Sequence, residues 1–147
     1  MKRADVKELH YITHIDNLRS ISQYGILCYR KAKKVLRQSI ADPEIQKRRE
    51  KVVIPGGKRK LHDYVNLYFN ARNPMMFKRK DMHEELAVLR IDSAILDEFE
   101  VVISDGNAAS DYAKFHTSPG GLKYLDNQLL HESFLIVKNS CFLRDFQ

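Results

Sequence analysis

Arginines are the residues of this sequence whose positions most readily suggest chemistry. Arg72 lies in the turn Asn70–Pro74, directly after the apolar and aromatic run Tyr64–Phe69. Asn and Pro favour turns, and an arginine held at the end of a buried strand is well placed to meet an anion; capping of the strand end is the alternative. Arg48 and Arg49 form a second pair, and a planar guanidinium can bind two oxygens of an anion at once. The alternative for this pair is a solvated basic stripe.

Positive charge is concentrated in the first half of the chain. Residues 1–80 contain 20 Lys and Arg against 7 Asp and Glu, whereas residues 81–147 contain 5 against 12. This asymmetry predicts a polyanion partner, because neutralising phosphates releases condensed counterions; a basic face kept for solubility is the alternative. The predicted nucleic-acid contacts are Lys33, Lys34, Arg37, Arg48 and Arg72.

Polar groups cluster near a predicted strand end. Leu9–Ile12 reads as a strand, followed by a helix over Asp16–Gln23 that is capped by its first residue and ended by Gly25, where a positive φ is expected. The backbone at the strand end, the Thr13 hydroxyl and the Asn17 amide could hydrogen-bond an amide group of a ligand. Alternatively, Thr13 and Asn17 only satisfy the start of the helix.

Short strands and short helices fill the rest of the chain, which predicts a single α+β domain over residues 1–147. Tyr64–Phe69 is apolar on both faces and is therefore expected to be a central strand. A short helix is predicted from Asp42, with Pro43 in its first position, inside an otherwise exposed basic loop that carries Arg49. The other predicted elements are a strand resumed at Met75–Phe77, strands at Glu85–Ile91, Glu100–Ser104 and Phe134–Val137, a helical turn within Asp92–Phe99 and a helix at Ala108–Phe115.

Composition excludes several classes of protein. The hydrophobic content of 44% and charged content of 30% are ordinary for a globular chain of 147 residues. No apolar run approaches the ~20 residues of a membrane helix and no signal peptide is recognised, so a cytoplasmic location is expected. Cys28 and Cys141 do not suggest a disulfide framework, and the six histidines form no recognisable metal pair. We therefore expect neither a membrane nor a metal to be involved.

The pattern DYV-x-x-YF-x-x-R-x-PM at residues 63–75 resembles that of the DarT toxins, which use NAD to ADP-ribosylate bases in single-stranded DNA. Where that family usually shows a Pro-Phe pair and then Pro-Arg-Ser-Pro, this chain has Asn66-Leu67 and Ala71-Arg72-Asn73-Pro74. Further segments resemble the family in the same order, and the resemblance weakens from about residue 111. These segments are Leu9–Leu27, Ile45–Gly57, His83–Asp92 and Ser104–Ala109.

The resemblance implies a split β-sheet with short flanking helices, NAD as substrate, single-stranded DNA as acceptor and a macrodomain antitoxin as partner. It places NAD contacts on the strand and helix of the N-terminal segment and a functional arginine on the pair at 48–49, for which we favour Arg49. The implied NAD-binding residues are Tyr11, Ile12, Thr13, Asn17, Gly25, Leu27 and Arg49.

A late catalytic glutamate of the family has no clear counterpart here. Glu132, before the apolar run Phe134–Val137, is the candidate, although its context does not match. The chain is therefore expected to be either truncated or diverged at its C-terminal end, to bind NAD, and to modify DNA slowly or not at all. Two alternatives stay open: a related enzyme acting on RNA or on a terminal phosphate, and an inactive relative that only binds nucleic acid.

Overall fold

A six-stranded antiparallel sheet forms the centre of the molecule in the computed structural model, which describes residues 1–35, 37–55, 59–126, 134–137 and 142–143. Its strand order is β6-β1-β5-β9-β7-β8, and two small two-stranded sheets, β10-β2 and β3-β4, flank it. The strands are β1 Glu8–His14, β2 Ile26–Leu27, β3 Val53–Ile54, β4 Arg59–Lys60, β5 Val65–Tyr68, β6 Leu86–Asp92, β7 Val101–Ser104, β8 Phe115–Thr117, β9 Phe134–Val137 and β10 Phe142–Leu143.

The sheet is split between β1 and β5. On one side, β1 pairs with β6 along its whole length, from Glu8↔Asp92 to His14↔Leu86. On the other side, the described pairing with β5 is confined to His10↔Tyr68, although β5 pairs fully with β9. Beyond His10, β1 therefore diverges from β5 and leaves a gap between them.

β5 is buried on both faces, which confirms the prediction of a central strand. Val65 and Leu67 point into the largest apolar cluster, whereas Tyr64 and Tyr68 pack into two smaller clusters. All four side chains are at most 5% exposed. An edge strand in water could not bury both faces in this way.

Short helices cover the sheet and carry its functional side chains. Asp42 caps α3 by accepting hydrogen bonds from the Glu44 and Ile45 N–H groups, and Pro43 takes the first helical position as predicted. The α-helices are α1 Leu18–Tyr24, α2 Tyr29–Ala32, α3 Pro43–Lys51 and α4 Pro74–Lys78, and 3-10 helices span Arg3–Asp5, Ile15–Asn17, Leu61–Asp63, Lys80–Glu85, Ser93–Asp97 and Gly120–Tyr124. None of the described helices is long and apolar enough to cross a membrane.

Three local predictions are wrong. Met75–Phe77 is part of α4 and not a resumed strand, because the Asn73 side chain accepts from the Met75 and Met76 N–H groups and so starts a helix. Asp16 is not a cap, because it lies inside the 3-10 helix Ile15–Asn17 that precedes α1, and the His14 imidazole caps that helix by accepting from the Asp16 N–H.

The third wrong prediction is the helix at Ala108–Phe115. Asn107 Oδ1 instead accepts from the Ala109 N–H and forms a turn. The Asp105 N–H donates to the Lys114 carbonyl, and the Asp105 carboxylate accepts from the Lys114 N–H, so residues 105–114 form a closed loop. β8 begins directly after it, at Phe115.

Candidate functional site

A cavity of about 210 Å³ lies at the split in the sheet. Its walls come from β1, α1, residues 37–42, α3, β5 and α4. It brings together all the residues that the sequence assigned to NAD, namely Tyr11, Ile12, Thr13, Asn17, Gly25, Leu27 and Arg49. Six of them lie within residues 11–27, and α3 brings Arg49 to the same cavity from a later part of the sequence.

Arg49 is a buried cation in the wall of this cavity, which Arg37, Lys78 and Arg79 also line. It lies on the inward face of α3 and is only 7% exposed, so the expectation of an exposed loop at this position is wrong. Its Nη2 is buried without a hydrogen-bond partner among the residues that the structure describes, and burial lowers the pKa of the guanidinium. Because an unpaired buried cation is costly, the arrangement suits the binding of an anion.

Tyr68 lies close to Arg49 on the floor of the cavity. Burial raises the pKa of this phenol to about 12, and the nearby Arg49 charge partly opposes that rise. The hydroxyl therefore stays protonated at neutral pH, and it donates to the Met75 sulfur at 3.8 Å. Tyr68 does not neutralise Arg49.

Thr13 and Asn17 form the opposite wall of the cavity. Asn17 Nδ2 donates to Thr13 Oγ1 at 3.0 Å and to the Gln38 carbonyl at 2.7 Å, while its Oδ1 accepts from the Gln38 N–H at 2.8 Å. The amide thus fixes the backbone of the segment that borders the cavity. This role differs from both expectations, because Asn17 neither offers a free amide nor merely satisfies the start of a helix.

Gly25 ends α1 with φ 80° and ψ −178°, which confirms the expected positive φ. Its N–H donates to the Ile21 carbonyl at 2.7 Å, so the helix stops there and the chain turns into β2. This turn brings the half-buried Leu27 to the wall of the cavity. A residue with a Cβ would be strained at this φ.

The residues predicted to bind nucleic acid do not form one surface. Lys33 and Arg37 lie over the Tyr29 ring at 4.8 and 5.0 Å, and Arg37 also lines the cavity. Lys34 is exposed nearby. One edge of the cavity is thus a basic, aromatic corner formed by Tyr29, Lys33 and Arg37.

Arg48 and Arg72 lie elsewhere. Arg48 is exposed on the outer side of α3 and lines a second groove, which shares Ile45 and Asn107 with the cavity. Arg72 is exposed in its turn, where its N–H donates to Asn70 Oδ1, and it is not among the residues lining the cavity. Of the pair at 48–49, it is Arg49 that faces the cavity.

Sequence reasoning missed Asn66 and the role of residues 37–42. Asn66 lines the cavity from β5, and its Oδ1 is buried without a hydrogen-bond partner. The available signal was a polar residue midway between Tyr64 and Tyr68, since alternation along a strand places these three on one face. Glu132, the candidate for catalysis, lies outside the described residues.

The split antiparallel sheet and its cation-lined cavity define a protein of ADP-ribosyltransferase-like fold. Two solved structures share it with a TM-score of 0.78 and 24% sequence identity: DarTG of Thermosipho africanus in complex with ADP-ribose, and DarT of Thermus sp. 2.9 in complex with ADP-ribosylated single-stranded DNA. Both superpositions cover 94% of this chain, with 41% and 78% of the respective neighbours.

The chain belongs to the DarT family, whose model, described as "ssDNA thymidine ADP-ribosyltransferase", matches residues 10–145. The match includes the last third of the chain, where the sequence alone resembles the family weakly. A DNA ADP-ribosyl transferase of Thermus aquaticus is 34% identical over 136 residues, and a DNA ADP-ribosyl transferase–DNA ADP-ribosyl glycohydrolase fusion protein of Thermosipho africanus is 34% identical over 120 residues. These alignments cover 86% and 75% of this chain and 61% and 29% of the relatives' lengths, respectively.

Proposed function

We propose that this protein transfers ADP-ribose from NAD to a base of single-stranded DNA. The observation that carries the proposal is the buried Arg49 guanidinium, with Nη2 unpaired, in a cavity at the split of the sheet. A pyrophosphate would supply the anion that this group lacks and could accept two hydrogen bonds from it. Membership in the DarT family supports both the donor and the acceptor.

The reaction makes defined demands on the protein. The bond between ribose C1′ and the nicotinamide nitrogen breaks, and nicotinamide leaves with the bonding electron pair. A ring nitrogen of the acceptor base then bonds to C1′ and gives up its proton to a base on the protein. By holding the pyrophosphate, Arg49 would fix C1′ relative to the acceptor, and such positioning is a large part of catalysis. Glu132 is our candidate for the proton acceptor.

Single-stranded DNA would reach the cavity past basic residues that lie at two of its edges. Lys33 and Arg37 surround the Tyr29 ring at one edge, and Arg48 lines the groove that adjoins the other. Cationic side chains next to an aromatic ring suit a strand whose bases are unpaired. We include the cytoplasmic location in this proposal, because NAD and DNA would both have to be available there.

A protein that removes the modification would be the natural partner of such an activity. The Thermosipho africanus relative is named as a fusion of a DNA ADP-ribosyl transferase with a DNA ADP-ribosyl glycohydrolase. We infer that a separate macrodomain glycohydrolase acts as the antitoxin of this protein. Co-expression that relieves growth arrest in a host strain would support this pairing.

A binding protein without transferase activity is the second candidate. It is favoured by the composition of the cavity, in which Asp42 is the sole carboxylate among the described lining residues. Asp42 is already engaged as the cap of α3 and lies 3.8 Å from the Lys78 ammonium. It is therefore not free to act as a base.

Intact-mass analysis of a thymidine-containing oligonucleotide after incubation with NAD separates the two candidates. One added ADP-ribosyl unit, formed with release of nicotinamide, is the expected result for the transferase. NAD binding and DNA binding without any mass increase would support the second candidate. Absence of NAD binding would contradict the proposed function altogether.

A further inference from the structure

Asn66 lines the cavity and carries a buried hydrogen-bond acceptor that has no partner among the described residues. It occupies the middle of β5, and its Oδ1 is buried with no partner. Buried polar atoms are nearly always hydrogen-bonded, so an orphan in a cavity wall is a feature that requires an explanation. The neighbouring residues of the strand, Val65 and Leu67, are apolar and fully buried, which makes an amide at this position costly unless a ligand pairs with it.

The position of Asn66 is set by the split of the sheet. In the antiparallel register fixed by His10↔Tyr68, Asn66 lies opposite Ile12, beyond the point at which β1 and β5 separate. On its other side it is paired with Ile136 of β9. Asn66 therefore belongs to a strand that is fully paired with β9 on one side. On its other side it lies at the edge of the gap, where the backbone of β1 has no β5 partner.

Two orphaned atoms of opposite polarity thus belong to residues that line one cavity. Arg49 Nη2 is a donor and Asn66 Oδ1 is an acceptor, and each lacks a partner among the described residues. Arg49 lies near Tyr68, and Asn66 is two residues further back along the same face of β5, roughly 7 Å away at the usual rise of a strand. The ligand that satisfies both must carry an anion and, at a distance from it, an N–H donor.

We propose that Asn66 Oδ1 accepts a hydrogen bond from the carboxamide N–H of the nicotinamide ring of NAD. This inference rests on the proposed function, and it makes Asn66 a specificity-determining residue for the donor dinucleotide. The pyrophosphate meets Arg49, and the nicotinamide lies in the gap between Ile12 and Asn66. The same acceptor could instead serve the imide N–H of the acceptor thymine, and the experiment below separates these two sources.

The test compares NAD with its 3-acetylpyridine analogue, in which a methyl group replaces the carboxamide NH₂ and the charge is unchanged. Calorimetry without DNA should show that wild-type protein binds NAD about 3- to 10-fold more tightly than the analogue, the size of effect expected for one neutral hydrogen bond. Asn66→Leu should abolish this preference and leave the affinity for ADP-ribose, which lacks nicotinamide, unchanged. If the leucine variant folds poorly, Asn66→Ser replaces it in the test. The serine hydroxyl is too short to reach the same point, so the preference for NAD should again be lost.

Gln46→Leu is the matched control, because Gln46 is another amide of the cavity wall whose Oε1 is already paired with His62 Nε2 at 3.0 Å. This variant should keep the preference for NAD. A wild-type protein that does not discriminate, or an Asn66 variant that still does, would overturn the inference while leaving NAD binding intact. An Asn66 variant that retains discrimination but has a raised KM for the oligonucleotide would reassign the acceptor to the thymine imide. Failure of the wild type to bind NAD would overturn the proposed function, and this inference with it.

Discussion

At the scale of single residues, two buried polar atoms that lack partners among the described residues belong to the cavity wall. Arg48 and Arg49 are adjacent and chemically identical, yet one is exposed and the other is 7% exposed with an orphaned Nη2. A protein gains no stability from a buried, unpaired guanidinium. The burial of Arg49 is therefore what a site for an anionic ligand would require.

Replacing Arg49 by Met should separate binding from folding. We expect the affinity for NAD to fall by about 10- to 150-fold, which corresponds to the roughly 1.5–3 kcal/mol of a charged hydrogen bond. The free energy of unfolding of the ligand-free protein should not decrease, because no partner of Nη2 is left behind. Calorimetry and urea denaturation measure the two quantities. Arg48→Met is the control, and equal NAD affinity in wild type and Arg49→Met would move the anion-binding role to another arginine, with Arg37 next in line.

The sequence indicated the residue types of the site but not their environment. Thr13 and Asn17 were recognisable as polar groups at a strand end, whereas their hydrogen bonds to each other and to Gln38 depend on how residues 37–42 fold back. Asn66 was hidden because its significance lies in the absence of a partner. Local spacing carries no information about such an absence.

At the scale of elements, the cavity depends on how short segments are fixed to the sheet. α3 begins with Asp42 as its cap and Pro43 in its first position, and the sequence predicted both. The error at Met75–Phe77 arose because apolar residues after a turn fit either a strand or a helix, and the Asn73 cap decided for the helix. The split between β1 and β5 could not be derived from strand patterns, since pairing partners are set by the whole chain; it came from the family resemblance.

Loss of the hydrogen bonds between the Asn17 side chain and the Gln38 backbone should loosen one wall of the cavity. Asn17→Ala removes the partners of both the N–H and the carbonyl of Gln38, and leaving such groups unpaired costs roughly 1–3 kcal/mol in stability. Faster hydrogen exchange at the Gln38 amide and weaker NAD binding should accompany this loss. Gln23→Ala, at an exposed position of α1, should change neither. Unaltered exchange at Gln38 in Asn17→Ala would show that the segment is held by other contacts.

At the scale of the whole molecule, charge separates the chain into a basic first part and an acidic second part. The sequence predicted this asymmetry and a polyanion partner, but not that the basic residues would fall into distinct places around the cavity. Lys33 and Arg37 lie at Tyr29, Arg48 lies across α3, and Arg72 lies in a separate turn. A bound DNA strand that passes over the cavity would contact the residues around Tyr29 and then Arg48.

Reversal of charge at Lys33, Lys34 and Arg37 to Glu should weaken binding of single-stranded DNA irrespective of base sequence. If about five phosphates are contacted, the logarithm of the binding constant should fall with the logarithm of salt concentration at a slope of about −3.5, and the triple variant should show a shallower slope. Fluorescence anisotropy at several salt concentrations measures both. The control reverses Lys2, Lys7 and Lys123, which are exposed outside the basic segment. Equal affinity of wild type and the first triple variant would exclude this corner as the DNA-binding face.

β9 lies inside the sheet although it is formed from residues late in the chain. It is the described strand that joins β5 to β7, so it connects the half containing β6, β1 and β5 with the half containing β7 and β8. A nascent chain that has not yet released residues 134–137 from the ribosome can form each half, but it cannot join them. Until then β5, which carries Asn66 and Tyr68 into the cavity, has one unpaired edge, and short strands with an open edge are only marginally stable. The order of synthesis thus delays completion of the cavity floor until residues 134–137 have been made.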